Sequence, residues 1–509
     1  MFKNHPKGLL GAALSNMGER FGFYTMMAIL VLFLQAKFGF SSTTTGIIYS
    51  IFYSSIYVLA FVGGLIADKT RDFKKTIFYG LILMTLGYFI IAIPTPTPVP
   101  ADKFVLFLII ICFGLLVIAF GNGLFKGNLQ ALVGQMYDNP KYSSMRDAGF
   151  QWFYMFINVG AIFAPAAAVA VRNWWVGKNG FDYNAALPDL CHSALGGTIT
   201  AEGTANLQAL AAEVGYQGSD MMEFANQYLN VFTTGFHYAF VVAIFAMLIS
   251  MIIYLSNKHK FENPAEKTAV VGKETKEMDA KEIKQRLYAL YAVFAVVFFF
   301  WLSFHQNGLT LTLFAKDYTN LSGINVNLGF TTLKGAELFQ SINPFFVVFL
   351  TPVIMAVFAA LRARGKEPST PKKIAIGMGI AATAFVLMTI GSIGLPSKAE
   401  VTAMGGLPEV QKVTPWLLIG TYFILTVAEL FISPLGISFV SKVAPPKYQG
   451  MMQGLWLGAT GFANLLLFVG AIFYDNISIQ GTWMVFVAAC VLSMGIMLAM
   501  LKWLERVAQ

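Results

Sequence analysis

The sequence is dominated by unbroken apolar runs about twenty residues long, the length a helix needs to cross roughly 30 Å of hydrocarbon at about 1.5 Å per residue. They occupy 9–35, 44–67, 76–93, 104–136, 148–171 and 236–256, then 285–314, 334–361, 373–394, 414–440, 450–474 and 482–504. Hydrocarbon offers backbone N–H and C=O groups no water, and continuous apolar runs lack the alternation of barrel strands, so each run is expected to be a helix. The chain reads as an all-α integral membrane protein with twelve transmembrane helices. Charged residues make up only 12% of its 509 positions, against about 25% in soluble domains.

The excess of 35 basic over 26 acidic residues does not imply a nucleic-acid partner, because the cations lie between apolar runs. Their partner is the lipid bilayer, where Lys and Arg stay on the cytoplasmic side. The clusters Lys69 to Lys75, Lys258 to Arg286 and Arg362 to Lys373, with Lys3, Lys7, Lys502 and Arg506 near the ends, put both termini in the cytoplasm of a multi-pass plasma membrane protein, most simply of a bacterial inner membrane. Lys37, Arg172, Lys178, Lys316 and Lys398 fall to the outer side. The first span follows Met1 too closely to carry a cleavable signal, so it is expected to be retained.

Two connections are long. Residues 172–234 mix Gly, Asn, Asp and short amphipathic runs and read as an outer excursion. Residues 257–284 are rich in Lys and Glu and read as a solvated cytoplasmic linker. They divide the chain into an N-terminal six-helix bundle, 1–256, and a C-terminal six-helix bundle, 285–509. Cys112, Cys191 and Cys490 show no C-x-x-C spacing, and His5, His192, His237, His259 and His305 form no H-x-x-x-H pair. No metal, no cofactor and no enzymatic activity are expected.

Five ionisable residues fall at membrane depth: Glu19, Arg20, Lys126, His305 and Glu429. A charge at a helix centre costs about 2.5 to 3.5 kcal/mol on insertion, so these side chains are expected to face an interior. In the first span Asn16, Glu19, Arg20, Phe23 and Tyr24 recur at helical spacing on one face. Asn122, Lys126 and Gln130 repeat the pattern, as do Gln151, Tyr154 and Asn158, then Glu429 and Ser433, then Trp456, Thr460 and Asn464. Polar residues also glue membrane helices together, but a lining continued over several spans points to a solute pathway. The first half contributes Glu19, Arg20 and Lys126, and the second contributes Glu429. Opposite walls therefore carry unlike net charges, which a zwitterion would satisfy. Two residues extend at most about 7 Å, so a short peptide is long enough to bridge them.

The motifs resemble those of a known family. Asn16-Met-Gly-Glu19-Arg20-Phe21-Gly-Phe23-Tyr24 resembles the Glu-x-x-Glu-Arg-Phe-x-Tyr-Tyr signature of the proton-dependent oligopeptide transporters, a branch of the major facilitator superfamily. The likeness continues through Tyr57, Gly63-Gly64-Leu-Ile-Ala-Asp68, Phe125-Lys126-Gly127-Asn128 and Phe153-Tyr154-Met-Phe-Ile-Asn158. In the second half it covers Trp301-Leu-Ser-Phe-His305, Gln340-Ser-Ile-Asn343-Pro344, Glu429-Leu-Phe-Ile-Ser433-Pro434 and Gly454-Leu-Trp456.

The resemblance implies the major facilitator fold, two six-helix bundles with a site between them, and import of di- and tripeptides by alternating access with proton symport. Arg20 and Lys126 would hold the peptide carboxylate and Glu429 its amino end. Asn158 and Asn343 would bind its backbone, while Tyr24, Tyr57, Ser433 and Trp456 shape the pocket. Gly63, Gly64 and Asp68 look like the superfamily's cytoplasmic gating loop. Departures concern the proton: Asn16 replaces the first signature Glu, Gly127 a Pro, His305 the acidic residue of the seventh span, and Met27 that residue's usual Arg partner. Proton coupling is therefore expected at Glu19, His305 and Glu429. A carrier for another small zwitterionic or anionic solute, or a non-transporting peptide sensor, is the alternative on the same fold.

Overall fold

A membrane-spanning helix satisfies its own backbone, and each of the twelve apolar runs folds as helix long enough to cross a bilayer. The computed structural model describes residues 5–70, 72–137, 139, 141–142, 145–261, 279–445 and 449–507. Within the helices, the side chains at 68, 146–148, 151, 437–438, 441–442, 449–451 and 453 are outside the description. The first group of spans holds α1 (Leu9–Phe38), α2 (Ser42–Thr70), α3 (Phe73–Ala92), α4 (Phe104–Met136) and α5 (Arg146–Lys178). Two short helices follow, α6 (Leu187–Leu195) and α7 (Ala201–Glu213), and α8 (Met221–Asn257) completes the group. The second group holds α9 (Ala280–Phe304), α10 (Thr310–Tyr318), α11 (Ile342–Ala363), α12 (Thr370–Gly391), the short α13 (Lys398–Ala403), α14 (Pro415–Val443), α15 (Gln449–Leu465), α16 (Phe468–Asn476), α17 (Ile479–Ala499) and α18 (Leu501–Val507).

Between α10 and α11 lies a small antiparallel hairpin, β1 (Val326–Asn327) and β2 (Thr332–Leu333), with Val326 opposite Leu333. In the first group α1 packs on α5 and α8, and α4 on α2 and α3. In the second, α12 packs on α14 and α17, and α9 on α15. The groups meet where α2 crosses α15 and α16, and where α5 lies against α11.

Several sequence expectations change. The sixth span does not begin at 236: α8 starts at Met221, because Asp220 Oδ1 accepts the N–H groups of Met222 and Glu223 and nucleates a polar first turn. The excursion is thus two compact helices between extended span ends. Most of the 257–284 linker lies outside the described residues. The gating glycines sit in helix rather than loop, since α2 continues to Thr70. A Cβ on Gly63 would lie 2.2 Å from the Gly123 carbonyl oxygen, so this glycine lets α2 and α4 touch backbone to backbone. Gly64 has open space beside it, and the Asp68 side chain lies outside the described residues.

Two spans are broken at mid-depth. Helix α9 ends at Phe304, a tight turn runs from His305 to Gly308, and α10 resumes at Thr310. The other break separates α15 from α16. The two interruptions face each other and satisfy one another: Gln306 Nε2 donates to the Leu467 carbonyl at 3.2 Å, and His305 Nδ1 lies 2.5 Å from Asn464 Oδ1. Irregular backbone is tolerated in a bilayer only where protein or a cavity covers it.

Candidate functional site

The interrupted spans border a cavity of about 380 Å³ between the two groups. Helix α1 turns Arg20, Tyr24 and Met27 toward it, α2 adds Tyr53 and Tyr57, α4 adds Lys126 and Gln130, and α5 adds Tyr154 and Asn158. The facing wall carries His305, Gln340, Asn343, Glu429 and Ser433. Residues from seven spans, as far apart in the chain as Arg20 and Ser433, thus share one void.

Glu19 is fully buried and stands outside this lining. Its carboxylate accepts from Arg20 Nε at 2.5 Å, from Arg20 Nη2 at 2.6 Å and from Asn122 Nδ2 at 2.8 Å. The Arg20 charge is neutralised by the residue that precedes it. Adjacent side chains diverge by about 100° on a helix and are not expected to meet, but the guanidinium fork folds back to grip both carboxylate oxygens.

Lys126 is the cation left over. Its Nζ stands 5.3 Å over the Tyr57 ring, a cation–π contact that holds the charge at the wall without cancelling it. Across the cavity, Glu429 Oε2 accepts from Asn343 Nδ2 at 2.9 Å, and the same amide donates to Thr426 Oγ1 at 3.0 Å. Among the described residues neither Lys126 nor Glu429 has an ion-pair partner. The walls therefore oppose one unpaired cation and one oriented, unpaired carboxylate.

His305 occupies the helix break with its ring stacked on Trp301 at 5.0 Å and inclined to Tyr53 at 5.2 Å. The polar stripe read on α15 does not line the cavity. Asn464 reaches His305 from behind, and Trp456, 3% exposed, packs against Phe294 and covers Gly436 of α14. Trp456 thus backs the wall that carries Glu429 and Ser433 instead of shaping the pocket directly. Sequence reasoning left Tyr53, Trp301 and Gln340 without a role, although Tyr53 and Trp301 stand one helical turn before Tyr57 and His305. The Gln151 side chain lies outside the described residues.

Hydrogen bonds joining the two groups gather at the end that bears α6 and α7. Arg172 and Glu337, both fully buried, form an ion pair there, and Asn173 Nδ2 donates to the Thr332 and Lys334 carbonyls at 2.8 and 3.0 Å. Thr43 donates its N–H and hydroxyl to Asp475 Oδ2, each at 2.8 Å. The sequence placed Arg172 and Lys316 in exposed connections, whereas Arg172 belongs to α5 and Lys316 to α10, and both are buried. Lys126 and Gln130 lie in the C-terminal half of α4. Among the described residues no cluster of His, Cys, Asp or Glu is arranged to hold a metal ion.

Comparison with known proteins agrees with this architecture. The family described as the POT family matches residues 74–280 and 260–485. The chain is 30% identical over 485 residues to the peptide transporter YePEPT of Yersinia enterocolitica subsp. palearctica, covering 91% of this chain and 87% of that protein. It is 27% identical over 484 residues to the di-/tripeptide transporter of Lactococcus lactis subsp. cremoris, covering 89% and 87%. Among solved structures, that of a peptide transporter POT in complex with sulfate superposes with a TM-score of 0.72 at 23% identity, covering 100% of this chain and 96% of that one.

Proposed function

The chain belongs to the POT family, and from that premise we propose that it carries di- and tripeptides across a bacterial inner membrane, coupled to protons, by alternating access of one central cavity. The observation that carries this reading is the opposition of Lys126 and Glu429 across a void of about 380 Å³, within the range of roughly 300 to 1,000 Å³ for small-molecule sites. A peptide zwitterion neutralises both walls at once. Its carboxylate meets Lys126, with Arg20 as a further donor already steadied by Glu19. Its ammonium meets Glu429, which Asn343 holds in place. Asn158 and Asn343 serve the peptide backbone, and Tyr24, Tyr57 and Ser433 border its side chains.

Both termini face the cytoplasm in this reading, so the end where Arg172, Asn173 and Thr43 tie the two groups together is the outer one. Residues 1–256 and 285–509 are the rocking units, joined by the 257–284 linker. Gly63 lets α2 and α4 move as one body, with Gly64 and Asp68 at the cytoplasmic gate. His305, Glu19 and Glu429 are the groups whose protonation is linked to the inward step. Labelled dialanine should accumulate in proteoliposomes above its external concentration when an inward proton gradient is imposed and only equilibrate without one. Accumulation indifferent to the gradient would remove proton coupling, and failure of counterflow as well would remove transport.

A further inference from the structure

The two helices of the excursion have no part in the central cavity, yet they bind the opposite group. On α6, Asp189 Oδ2 lies 2.7 Å from Lys316 Nζ of α10 and 3.8 Å from Lys398 Nζ of α13. Lys398 in turn pairs with Asp317 at 2.8 Å, and Lys316 reaches Asp317 at 3.5 Å. Two carboxylates and two ammonium groups alternate, and only Asp189 comes from the first group of spans. Thr200, which caps the start of α7, donates its Oγ1 hydroxyl to the Ala403 carbonyl at 2.6 Å, and Asn206 Nδ2 within α7 donates to the Met404 carbonyl at 2.7 Å. These carbonyls close the last turn of α13, where a helix leaves its C=O groups without partners of its own. The backbones touch here too: a Cβ on Gly405 would lie 2.6 Å from Gly203 Cα.

Taking alternating access as the frame, we infer that α6 and α7 form a latch for the outer gate, engaging α10 and α13 when the outside is closed and releasing them when it opens. The contacts suit a latch rather than a permanent weld. The Asp189 side chain is 41% exposed, so water takes over its solvation when it withdraws, and the buried Lys316 keeps Asp317 at 3.5 Å and Gln35 Oε1 at 3.1 Å. The Thr200 and Asn206 bonds are likewise at the surface edge, where water replaces a lost donor. The buried Arg172–Glu337 pair joins the spans themselves, whereas the latch reaches across from outside them. An element that spans two moving bodies by several hydratable contacts biases their equilibrium without freezing it.

The test is a cross-link across the latch, in full-length protein with Cys112, Cys191 and Cys490 changed to Ala. Thr200 and Ala403 are both exposed and Thr200 Oγ1 lies 2.6 Å from the Ala403 carbonyl oxygen, so cysteines there fall within reach of a short bis-methanethiosulfonate reagent, whereas a side chain at Gly405 would strike Gly203. The Thr200→Cys, Ala403→Cys protein should be bridged by that reagent, lose dialanine counterflow by more than about tenfold and regain it with dithiothreitol. Failure to cross-link, or undiminished counterflow by protein shown by mass spectrometry to be cross-linked, overturns the latch. A reduced protein that moves no dipeptide would instead count against the peptide reading. For that case a second measurement needs no transport: spin labels at Lys178 and Val410 should report an outer-open population raised about threefold or more in Asp189→Asn with Asn206→Ala. Unchanged distances would overturn the latch.

Discussion

Replacing Glu429 by Gln removes one charge from the cavity and keeps nearly everything else. The amide retains a carbonyl oxygen to accept from Asn343 Nδ2, which now lies 2.9 Å from Glu429 Oε2, so the wall keeps its shape. What disappears is a charge-assisted contact with the peptide ammonium, worth about 1.5 to 3 kcal/mol. At 1.4 kcal/mol per tenfold step that is roughly 10- to 150-fold in affinity. A peptide with an acetylated amine brings no ammonium to this wall and should lose little. The assay is competition of dialanine and of N-acetyl-dialanine against a labelled dipeptide in proteoliposomes, compared between Glu429→Gln and the unaltered protein. The expected result is a large loss for the free amine and a change under about threefold for the blocked one. Equal losses for both peptides would refute the zwitterion argument, because they would mean that Glu429 supports the fold of the site and does not recognise a charge.

The cation wall and the helix crossings supply further expectations. His305→Gln keeps a donor for Asn464 but no titratable group, so uphill pH-driven uptake should vanish while exchange survives; unchanged accumulation would remove His305 from the coupling. Gly63→Ala forces a methyl against the Gly123 carbonyl and should destabilise the protein by about 1 to 3 kcal/mol, seen as earlier thermal unfolding in detergent, whereas Gly64→Ala should leave the transition in place. If the two variants melt alike, the close approach of α2 and α4 is not what Gly63 provides. Burial pushes the Asp189 carboxyl up, but Lys316 and Lys398 prevail over it and over Asp317 and hold it below the usual carboxylate range. Its docked form is thus favoured above the ordinary value near 4 and lost only as pH falls through the lower docked value. The Lys178–Val410 distance should accordingly stay constant from pH 8 to pH 5; lengthening at pH 6 would show that external acid springs the latch.

The membrane architecture was readable from the residues alone because its cause is local. An apolar run of sufficient length has one low-energy solution in hydrocarbon, and a charge within it has to turn inward whatever the neighbours are. Hence the twelve spans and the placement of Lys126, Tyr57, Asn158, Asn343 and Glu429 at a shared void follow from patterns within single segments, given the family likeness that named them. Which charges remain unpaired is not local. Glu19 cancels Arg20 through two side chains that helical spacing sets apart, and Trp456 stands behind the wall although its stripe looks like lining. Lys316, Arg172 and Asp189 read as loop charges, yet they find partners between 127 and 165 residues away. Such pairings depend on how helices cross and where spans break, and those are properties of packing among distant segments. The chain's own order of residues determined that a bilayer is its solvent and that charge lies within it; only the assembled helices decided which of those charges are free to meet a solute and which tie the two groups together at one end.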